Sequence, residues 1–338
     1  MPDNGAVTPR RRPTQADVAR AAGVSVSIVS AVINNRQYGN IRISEATRER
    51  VRRAIQDMGY APNLAARGLA RGTNDLIGIF TFERLFPLQR EDFFYEFLMG
   101  VEEQADEQGF NLLLLTAAKD REGRRSLFPS GTNGMQLADG GVLFGGIERQ
   151  DEVRRLYESG FPSVYVGQRE IPGVDLSYVG ADYFGATVEL TRELLRRGHR
   201  IMLVDEVHRV EPVPGRLAGF RAVIPDGERL EALVEAYPED DELEAFIVDA
   251  RDRGVDVLMV EHGDHAHRFA DAAARIPDAP IVVSLGGAPD DEGTGDLGGI
   301  VIPRREMGRE AVRLLARLIK DPASGPQRTI LQCEVRFP

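Results

Sequence analysis

Hydrophobic residues near the N-terminus recur at helical spacing in short stretches separated by turn residues. Thr14 can cap a first helix, with Asp17 three residues later as in a capping box. Gly23 marks a sharp turn, because glycine adopts positive φ without steric cost, and Ser25 can cap a second helix. The inward positions of these helices are Val18, Ala19, Ala22, Val29, Val32 and Ile33. Two short helices around a tight turn predict a helix-turn-helix, the motif that places a helix in the DNA major groove.

A third helix is predicted between Ser44, which can cap it, and Gly59, which can end it. Its apolar positions follow helical spacing at Val51, Ala54, Ile55 and Met58. Four arginines make its other faces basic: Arg48, Arg50, Arg52 and Arg53. Residues 64–70 are predicted to form one or two further helical turns, and a helix this short needs a partner to be stable.

Further along the chain, short apolar runs alternate with amphipathic helical stretches. The runs predict strands at 76–80, 111–115, 140–144, 162–166, 177–181, 200–205, 256–260 and 280–285. Helices are expected around 93–108, 150–159, 184–197, 216–223, 239–253 and 266–275, and the run LEALVEA at 230–236 can hold the place of one more strand. The predicted fold class is an N-terminal all-α helix-turn-helix headpiece followed by an α/β core of two doubly wound lobes.

Charge separates the same two parts. The 338 residues carry a formal net charge of -11, yet residues 1–72 contain 12 arginines against 5 acidic residues. A basic head on an acidic body indicates DNA binding confined to one domain. The single cysteine, Cys333, excludes an internal disulfide framework and favours a reducing, cytoplasmic compartment. We recognise no signal peptide and no apolar run of membrane-spanning length.

Over its first seventy residues the chain resembles the lactose-repressor (LacI) family of bacterial transcription regulators. The matching residues are Asp17-Val18-Ala19-Arg20, Ala22-Gly23-Val24-Ser25, Ser30, Val32, Asn34, Ser44, Thr47-Arg48-Glu49-Arg50-Val51, Gly59-Tyr60-Ala61-Pro62-Asn63, Ala66-Arg67 and Leu69. The resemblance implies a homodimer that reads an inverted repeat in double-stranded operator DNA. It also implies hinge helices on the minor groove, with Leu69 as the wedge that opens the central base step. The alternative is that Leu69 packs only on its own domain.

The resemblance continues into the body. Its matching residues are Gly180-Ala181-Asp182, Gly185-Ala186, Gly198-His199-Arg200 and Gly215-Arg216-Leu217-Ala218-Gly219-Phe220. They imply a core like the type I periplasmic sugar-binding proteins, with the ligand between the lobes. The expected domains are a disordered arm (1–13), the headpiece (14–60), a hinge helix and linker (61–73) and the core (74–338). Within the core we expect an N-lobe of about 74–175 and 304–320 and a C-lobe of about 176–303 and 323–338.

The recognition helix departs from the family, which usually has Thr and Arg where this chain has Ile28 and Ala31. Base reading therefore falls on Val26, Ser27 and Ser30, with methyl contacts to thymine from Val26 and Ala31. The full set of expected DNA-binding residues is Thr14, Gln15, Ser25, Val26, Ser27, Ile28, Ser30, Ala31, Asn34, Tyr60, Asn63, Ala66, Arg67 and Leu69.

A small, sugar-like effector is expected at the carboxyl ends of the core strands. Phe82 and Phe93 are candidate apolar walls, and Arg216 matches a family arginine that binds the effector. Glu261 and His262 stand where the family usually has an Asn-Asp pair, and they are further candidate effector contacts. A further family Asp is missing near Gly286, so a standard sugar pose is in doubt. The alternative for Arg216 is a surface or interlobe salt bridge.

The residues argue against metal binding and against catalysis. His262, His265 and His267 lack the spacing of a helical zinc pair and no cysteine is near, so we expect no metal. Phosphate-loop motifs and a convincing catalytic triad are not evident, so we expect neither a cofactor nor an enzyme. The leading function is an effector-controlled transcription regulator, in the first place a repressor. The alternatives are an effector-independent regulator of the same fold and a site-specific DNA recombinase, which would need a catalytic Ser or Tyr with an arginine cluster. A sugar receptor shares the core fold but would need export and no headpiece.

Overall fold

The chain divides into two compact units, residues 1–74 and 75–338. The computed structural model describes residues 11, 13–33, 43–60, 73–83, 94–146, 149–207, 215–286 and 297–338.

The first unit contains three described helices: α1 (Gln15–Ala22), α2 (Val26–Ile33) and α3 (Glu45–Met58). The capping box that opens α1 is present, since the Thr14 backbone N–H donates to the Asp17 carboxylate at 2.9 Å and the Asp17 N–H donates to the Thr14 hydroxyl at 3.3 Å. Gly23 ends α1 with φ 62°, and α2 leaves at 103° to α1. This angle falls in the range of helix-turn-helix motifs.

Fully buried side chains from each helix meet in the core of this unit. Val18, Val29 and Val51 are each 0% exposed, one from each of the three helices. Ser44 caps α3 by accepting from the Thr47 N–H, and Gly59 ends it in the left-handed conformation, as predicted. Within the described residues no single helix is long and apolar enough to span a membrane, and α1 and α2 reach that length only when taken together.

The second unit contains two six-stranded sheets. The N-lobe sheet has the order β11-β5-β4-β3-β1-β2, and its strands are β1 (Leu76–Thr81), β2 (Asn111–Leu114), β3 (Gly140–Phe144), β4 (Ser163–Val166), β5 (Tyr178–Ala181) and β11 (Arg328–Leu331). The C-lobe sheet has the order β12-β10-β9-β8-β6-β7, and its strands are β6 (Ile201–Glu206), β7 (Leu230–Val234), β8 (Val257–Val260), β9 (Ile281–Ser284), β10 (Gly299–Val301) and β12 (Glu334–Arg336). Each of the eight predicted strands is present, and the LEALVEA run supplies β7, which pairs parallel with β6.

Helices cover both sheets: α4 (Tyr95–Gln108), α5 (Gln150–Glu158), α6 (Tyr183–Arg196), α7 (Arg216–Val223), α8 (Asp240–Asp252), α9 (Gly263–Ala273) and α10 (Arg304–Lys320). In the N-lobe, α4 and α10 touch backbone to backbone. A Cβ added at Gly100 would lie 1.9 Å from the Arg305 carbonyl oxygen, and one at Gly308 would lie 2.1 Å from that of Phe97. These two glycines therefore allow the helix pair to approach this closely.

The lobe boundaries expected from the sequence are wrong at two strands. β5 and β11 belong to the N-lobe sheet, because β5 pairs with β4 on one side and with β11 on the other. A buried apolar run looks the same in either sheet, so its partner cannot be read from the run itself. The chain crosses between the sheets three times: at Asp182, at 302–303 and at 332–333.

The segment between β2 and β3, residues 115–139, contains no helix and still covers one face of the N-lobe sheet. Leu127 and Met135 are fully buried there. Gly78 and Gly141 leave room for Met135, since a Cβ on either strand would lie within 3 Å of its sulfur. Side chains from an irregular segment thus complete this part of the core.

Candidate DNA interface and ligand site

The outer face of α2 is formed by short side chains near its N-terminus. Ser25 precedes the helix, and its hydroxyl accepts from the Ile28 N–H at 3.3 Å, as expected of a cap. Val26 is 45% exposed and Ser27 is also exposed, whereas Ile28 and Ser30 are half-buried. An exposed valine methyl beside a serine hydroxyl offers one apolar and one polar contact to base edges.

Ala31 does not share this exposure. It is only 7% exposed, since it faces the interior of the first unit, which argues against the predicted thymine contact. Tyr60 is half-buried and packs against the same core. Five predicted DNA-binding residues lie outside the described residues: Asn34, Asn63, Ala66, Arg67 and Leu69.

The arginines of the headpiece differ in their partners. Arg20 pairs with Asp17 at 3.3 Å, and a hydrogen bond from the Thr14 hydroxyl holds the pKa of Asp17 below its usual value. Arg52 pairs with Glu45 at 3.0 Å. Among the described residues, neither Arg48 nor Arg50 is within salt-bridge distance of a carboxylate. Their positive charge is therefore not neutralised within the described part of the headpiece.

In the second unit, two predicted effector residues come together at the carboxyl edge of the C-lobe sheet. Arg216 is the first residue of α7, and Glu261 directly follows β8. The Arg216 Nη1 donates to the Glu261 Oε1 at 2.5 Å, with the two side chains 7% and 2% exposed. Both belong to the C-lobe, so the salt bridge is neither a surface pair nor an interlobe pair.

Sequence reasoning missed Tyr183, which completes this arrangement. Tyr183 is the first residue of α6, and the Arg216 guanidinium lies 4.0 Å from the centre of its ring. Gly215 makes this contact possible, because a Cβ there would lie 2.9 Å from the Tyr183 Cβ. An aromatic residue directly after Asp182, at the edge of the expected cleft, was the available signal.

The absence of the family Asp near Gly286 has a structural reason. A Cβ at Gly286 would lie 2.3 Å from the Gly263 nitrogen and 2.7 Å from the Glu261 carbonyl oxygen. A side chain therefore does not fit at this position without moving the turn that carries Glu261. The Gly286 carbonyl oxygen instead accepts from Arg304 Nη2 at 2.8 Å.

The histidines next to this site are engaged in packing. His262 precedes α9, with its Nδ1 3.9 Å from an Asp264 carboxylate oxygen. The ring of His265 stacks on Tyr237 with centroids 4.0 Å apart, and its Nδ1 lies 3.1 Å from an Arg268 nitrogen. No group of three or more His, Cys, Asp or Glu side chains in the described part of the chain is arranged to hold a metal ion.

The N-lobe edge differs from the prediction. Phe82 is 6% exposed and packs edge to face on Phe80, so it is a core residue rather than an open wall of a cleft. The Glu83 carboxylate accepts from the Gly146 N–H at 2.7 Å. The Tyr165 hydroxyl donates to the Gly145 carbonyl at 2.8 Å, and burial raises its pKa. The second predicted wall, Phe93, lies outside the described residues.

A helix-turn-helix unit and a core of two doubly wound sheets define a DNA-binding regulator with a periplasmic-binding-type core. Residues 14–63 match the family model described as bacterial regulatory proteins, lacI family. Residues 84–227 match the model described as periplasmic binding proteins and sugar binding domain of LacI family. The transcriptional regulator CelR of Thermobifida fusca is 33% identical over 344 residues, which cover 96% of each chain. The chain belongs to the LacI family of DNA-binding transcription regulators.

Solved structures agree with this assignment. The complex of the regulator CelR with cellobiose is 25% identical, with a TM-score of 0.58, and the match covers 96% of this chain and 99% of that one. The lac repressor dimer bound to operator is 18% identical, with a TM-score of 0.72, and the match covers 97% and 98%. At 18% identity, the match to the lac repressor shows only that the two proteins share a fold. The proteins named by these comparisons are transcription regulators rather than enzymes.

Proposed function

We propose that the protein is a repressor that binds a pseudo-palindromic operator as a homodimer and responds to a neutral sugar. It acts by binding alone, without a catalytic step, in the cytoplasm. The proposal is supported by the relatives, which include a regulator in complex with cellobiose and a repressor dimer bound to operator. The buried pair of Arg216 and Glu261 is the observation in this chain that carries the ligand part.

The exposed end of α2 reads the bases. Val26 supplies methyl groups to thymine, and Ser27 and Ser30 supply hydroxyls to base edges. Arg48 and Arg50, which have no carboxylate within salt-bridge distance among the described residues, contact phosphates and carry no sequence information. The exposed surface of α2 thus sets which operator is bound, and α3 adds affinity.

The ligand site combines a positive and a negative group in contact. A guanidinium presents N–H donors and a carboxylate presents acceptors, which together match the donor and acceptor character of sugar hydroxyls. Arg216 and Glu261 sum to zero charge, so a second carboxylate brought to the same place would be repelled by Glu261 without a net cation to attract it. The geometry therefore favours a neutral sugar over a sugar acid.

Selection from a random DNA pool with the full-length protein tests the first part. We expect a recovered site with dyad symmetry and half-sites about one helical turn apart. Substitution of Val26→Ala or Ser27→Ala should change the preferred bases. The matched variant Arg50→Gln should weaken binding to every DNA sequence by the same factor. It should also reduce the slope of log affinity against log salt concentration by about 1. A recovered site without symmetry, or one unmoved by the α2 variants, contradicts the proposal.

Thermal shift and calorimetry with cellobiose, maltose, lactose and glucuronate test the ligand part. We expect a neutral disaccharide to bind and to change operator affinity, and glucuronate to be without effect. Arg216→Lys keeps a positive charge beside Glu261 but loses the planar fork, so it should weaken binding by about 10- to 100-fold. If no sugar binds, an effector-independent regulator is the better assignment. Preferred binding of glucuronate would overturn the charge argument.

A further inference from the structure

The salt bridge at the ligand site is connected to two of the three crossovers between the lobes. The first connection begins at Tyr183, which directly follows the crossover residue Asp182. Tyr183 is part of a C-lobe helix, and its side chain packs against the buried core of the N-lobe. The same ring carries the guanidinium of Arg216 at 4.0 Å. One aromatic side chain therefore contacts both the N-lobe core and the ligand-site arginine.

The packing around this contact leaves little room for movement. The starts of α6 and α7 are so close that a Cβ at Gly215 would lie 2.9 Å from the Tyr183 Cβ. A shift of Arg216 toward a ligand must then be followed by the Tyr183 ring or must break the stacking. Close-packed interiors transmit such displacements because they contain few voids that could absorb them.

The second connection begins at Glu261. Its carbonyl oxygen is packed against Gly286, where an added Cβ would lie only 2.7 Å away. The Gly286 carbonyl accepts from Arg304, the first residue of the N-lobe helix α10. Arg304 follows the crossover at 302–303. The two partners of the salt bridge thus lead to two different crossovers.

We infer that Tyr183 is the positioning residue that couples the Arg216–Glu261 site to the relative orientation of the lobes. The inference rests on the proposed function for the identity of the site and adds how that site is read out. Without the stacked ring, Arg216 and the first crossover should move independently. The Tyr183 hydroxyl is not needed for this role, so Tyr183→Phe should behave as the parent.

Hydrogen–deuterium exchange of the full-length protein without ligand tests the coupling. We expect peptides across 178–184 to exchange about 5- to 30-fold faster in Tyr183→Leu, the range expected for loss of a desolvated cation–π contact. Arg216→Met combined with Glu261→Met removes the guanidinium without leaving a buried carboxylate unpaired, so this variant should have the same effect. Adding Tyr183→Leu to it should cause no further change. Tyr183→Phe should match the parent. Arg221→Gln, which breaks the pair with Glu231 at the other end of α7, is the control and should leave these peptides unchanged.

Three results would overturn the inference. The first is unchanged exchange at 178–184 in Tyr183→Leu, and the second is exchange rates that multiply when the changes at Tyr183 and Arg216 are combined, as for independent effects. The third is faster exchange throughout the C-lobe, including β8. The last result would show a structural role only. If Tyr183→Leu does not fold, a fluorescence measurement replaces the exchange experiment. The chain contains no tryptophan, so one introduced tryptophan reports on its own surroundings. Emission of Tyr183→Trp should change when Arg216→Met is added, and that of the neighbour Phe184→Trp should not; equal responses count against the coupling. No sugar is used, so a failure here is distinct from a failure of the ligand panel.

Discussion

The two lobes of the core share one strand order, differ in the direction of the outermost strand and carry different side chains at their carboxyl edges. Each has six strands, with the first strand of the lobe second from the edge in its sheet, and parallel neighbours around it. At the carboxyl edge of the N-lobe sheet, polar side chains bind the backbone: Glu83 accepts from the Gly146 N–H, and Tyr165 donates to the Gly145 carbonyl. At the corresponding edge of the C-lobe, Arg216 and Glu261 bind each other.

Under the proposed function, this difference favours the C-lobe edge as the one that recognises the ligand. A carboxylate that closes a backbone turn is part of the fold, and releasing it opens a loop. A side-chain pair with complementary charge can rearrange around a ligand while the strands stay in place. Backbone hydrogen bonds at one edge and a charged pair at the other are thus consistent with a rigid N-lobe edge and a responsive C-lobe edge.

The largest contrast is expected when each edge loses one polar partner. Arg216→Met leaves Glu261 buried without its cation, which should lower the free energy of unfolding of the core by about 3–5 kcal/mol. Glu83→Gln keeps the size of the side chain and weakens one hydrogen bond, at a cost of about 1 kcal/mol. Urea denaturation followed by circular dichroism measures both.

The double variant Arg216→Met with Glu261→Met is the control for that measurement. Removing both charges should recover much of the lost stability, because a buried ion pair can be replaced by apolar groups at little net cost. Equal losses from Arg216→Met and Glu83→Gln would mean that the two edges do not differ as described.

The helix pairs provide a second contrast. In the N-lobe, Gly308→Ala forces a methyl group into the backbone of α4, and we expect a loss of about 2–3 kcal/mol in the free energy of unfolding. In the C-lobe, α6 and α7 meet at Gly219, where the nearest atom to an added Cβ is 2.8 Å away. Gly219→Ala should therefore cost less than Gly308→Ala. The reverse order in thermal unfolding would contradict the packing comparison.

The sequence predicted the local elements well and their partners less well. The capping residues Thr14, Ser25 and Ser44 determine where helices begin through bonds to neighbouring N–H groups, so sequence suffices. β5 was placed in the wrong lobe because strand partners are set by distant residues. Arg216 and Glu261 were both predicted, but their contact across 45 positions was not, and Phe82 was assigned to a cleft although it packs on Phe80. Long-range packing decides such positions, and periodicity carries no information about it.

The lobes also differ in what precedes their third strand. The C-lobe places α8 before β8, whereas the N-lobe has the irregular segment 115–139 before β3. Buried Glu152 holds this segment by accepting from the Ser126 hydroxyl at 2.8 Å and the Leu127 N–H at 2.6 Å. Glu152→Gln should cost about 1.5 kcal/mol and make the segment sensitive to protease, with α8 unaffected. Limited proteolysis with mass mapping checks this, and cleavage first in α8 would reverse the comparison.

The last contrast concerns Cys333, which lies at the third crossover and contacts the cores of both lobes. Burial raises the pKa of its thiol to about 11 from a usual value of 9.0. Because the thiolate is the reactive form and its share falls tenfold per pKa unit, alkylation by iodoacetamide at pH 8 should be about 100-fold slower than in urea. The rate in the folded protein should keep rising up to a pH near 11, whereas in urea it should level off near 9. A folded protein that reacts at the unfolded rate at pH 8 would mean that the third crossover is open to solvent, and that the lobes are joined less tightly there than at the crossovers beside Tyr183 and Arg304.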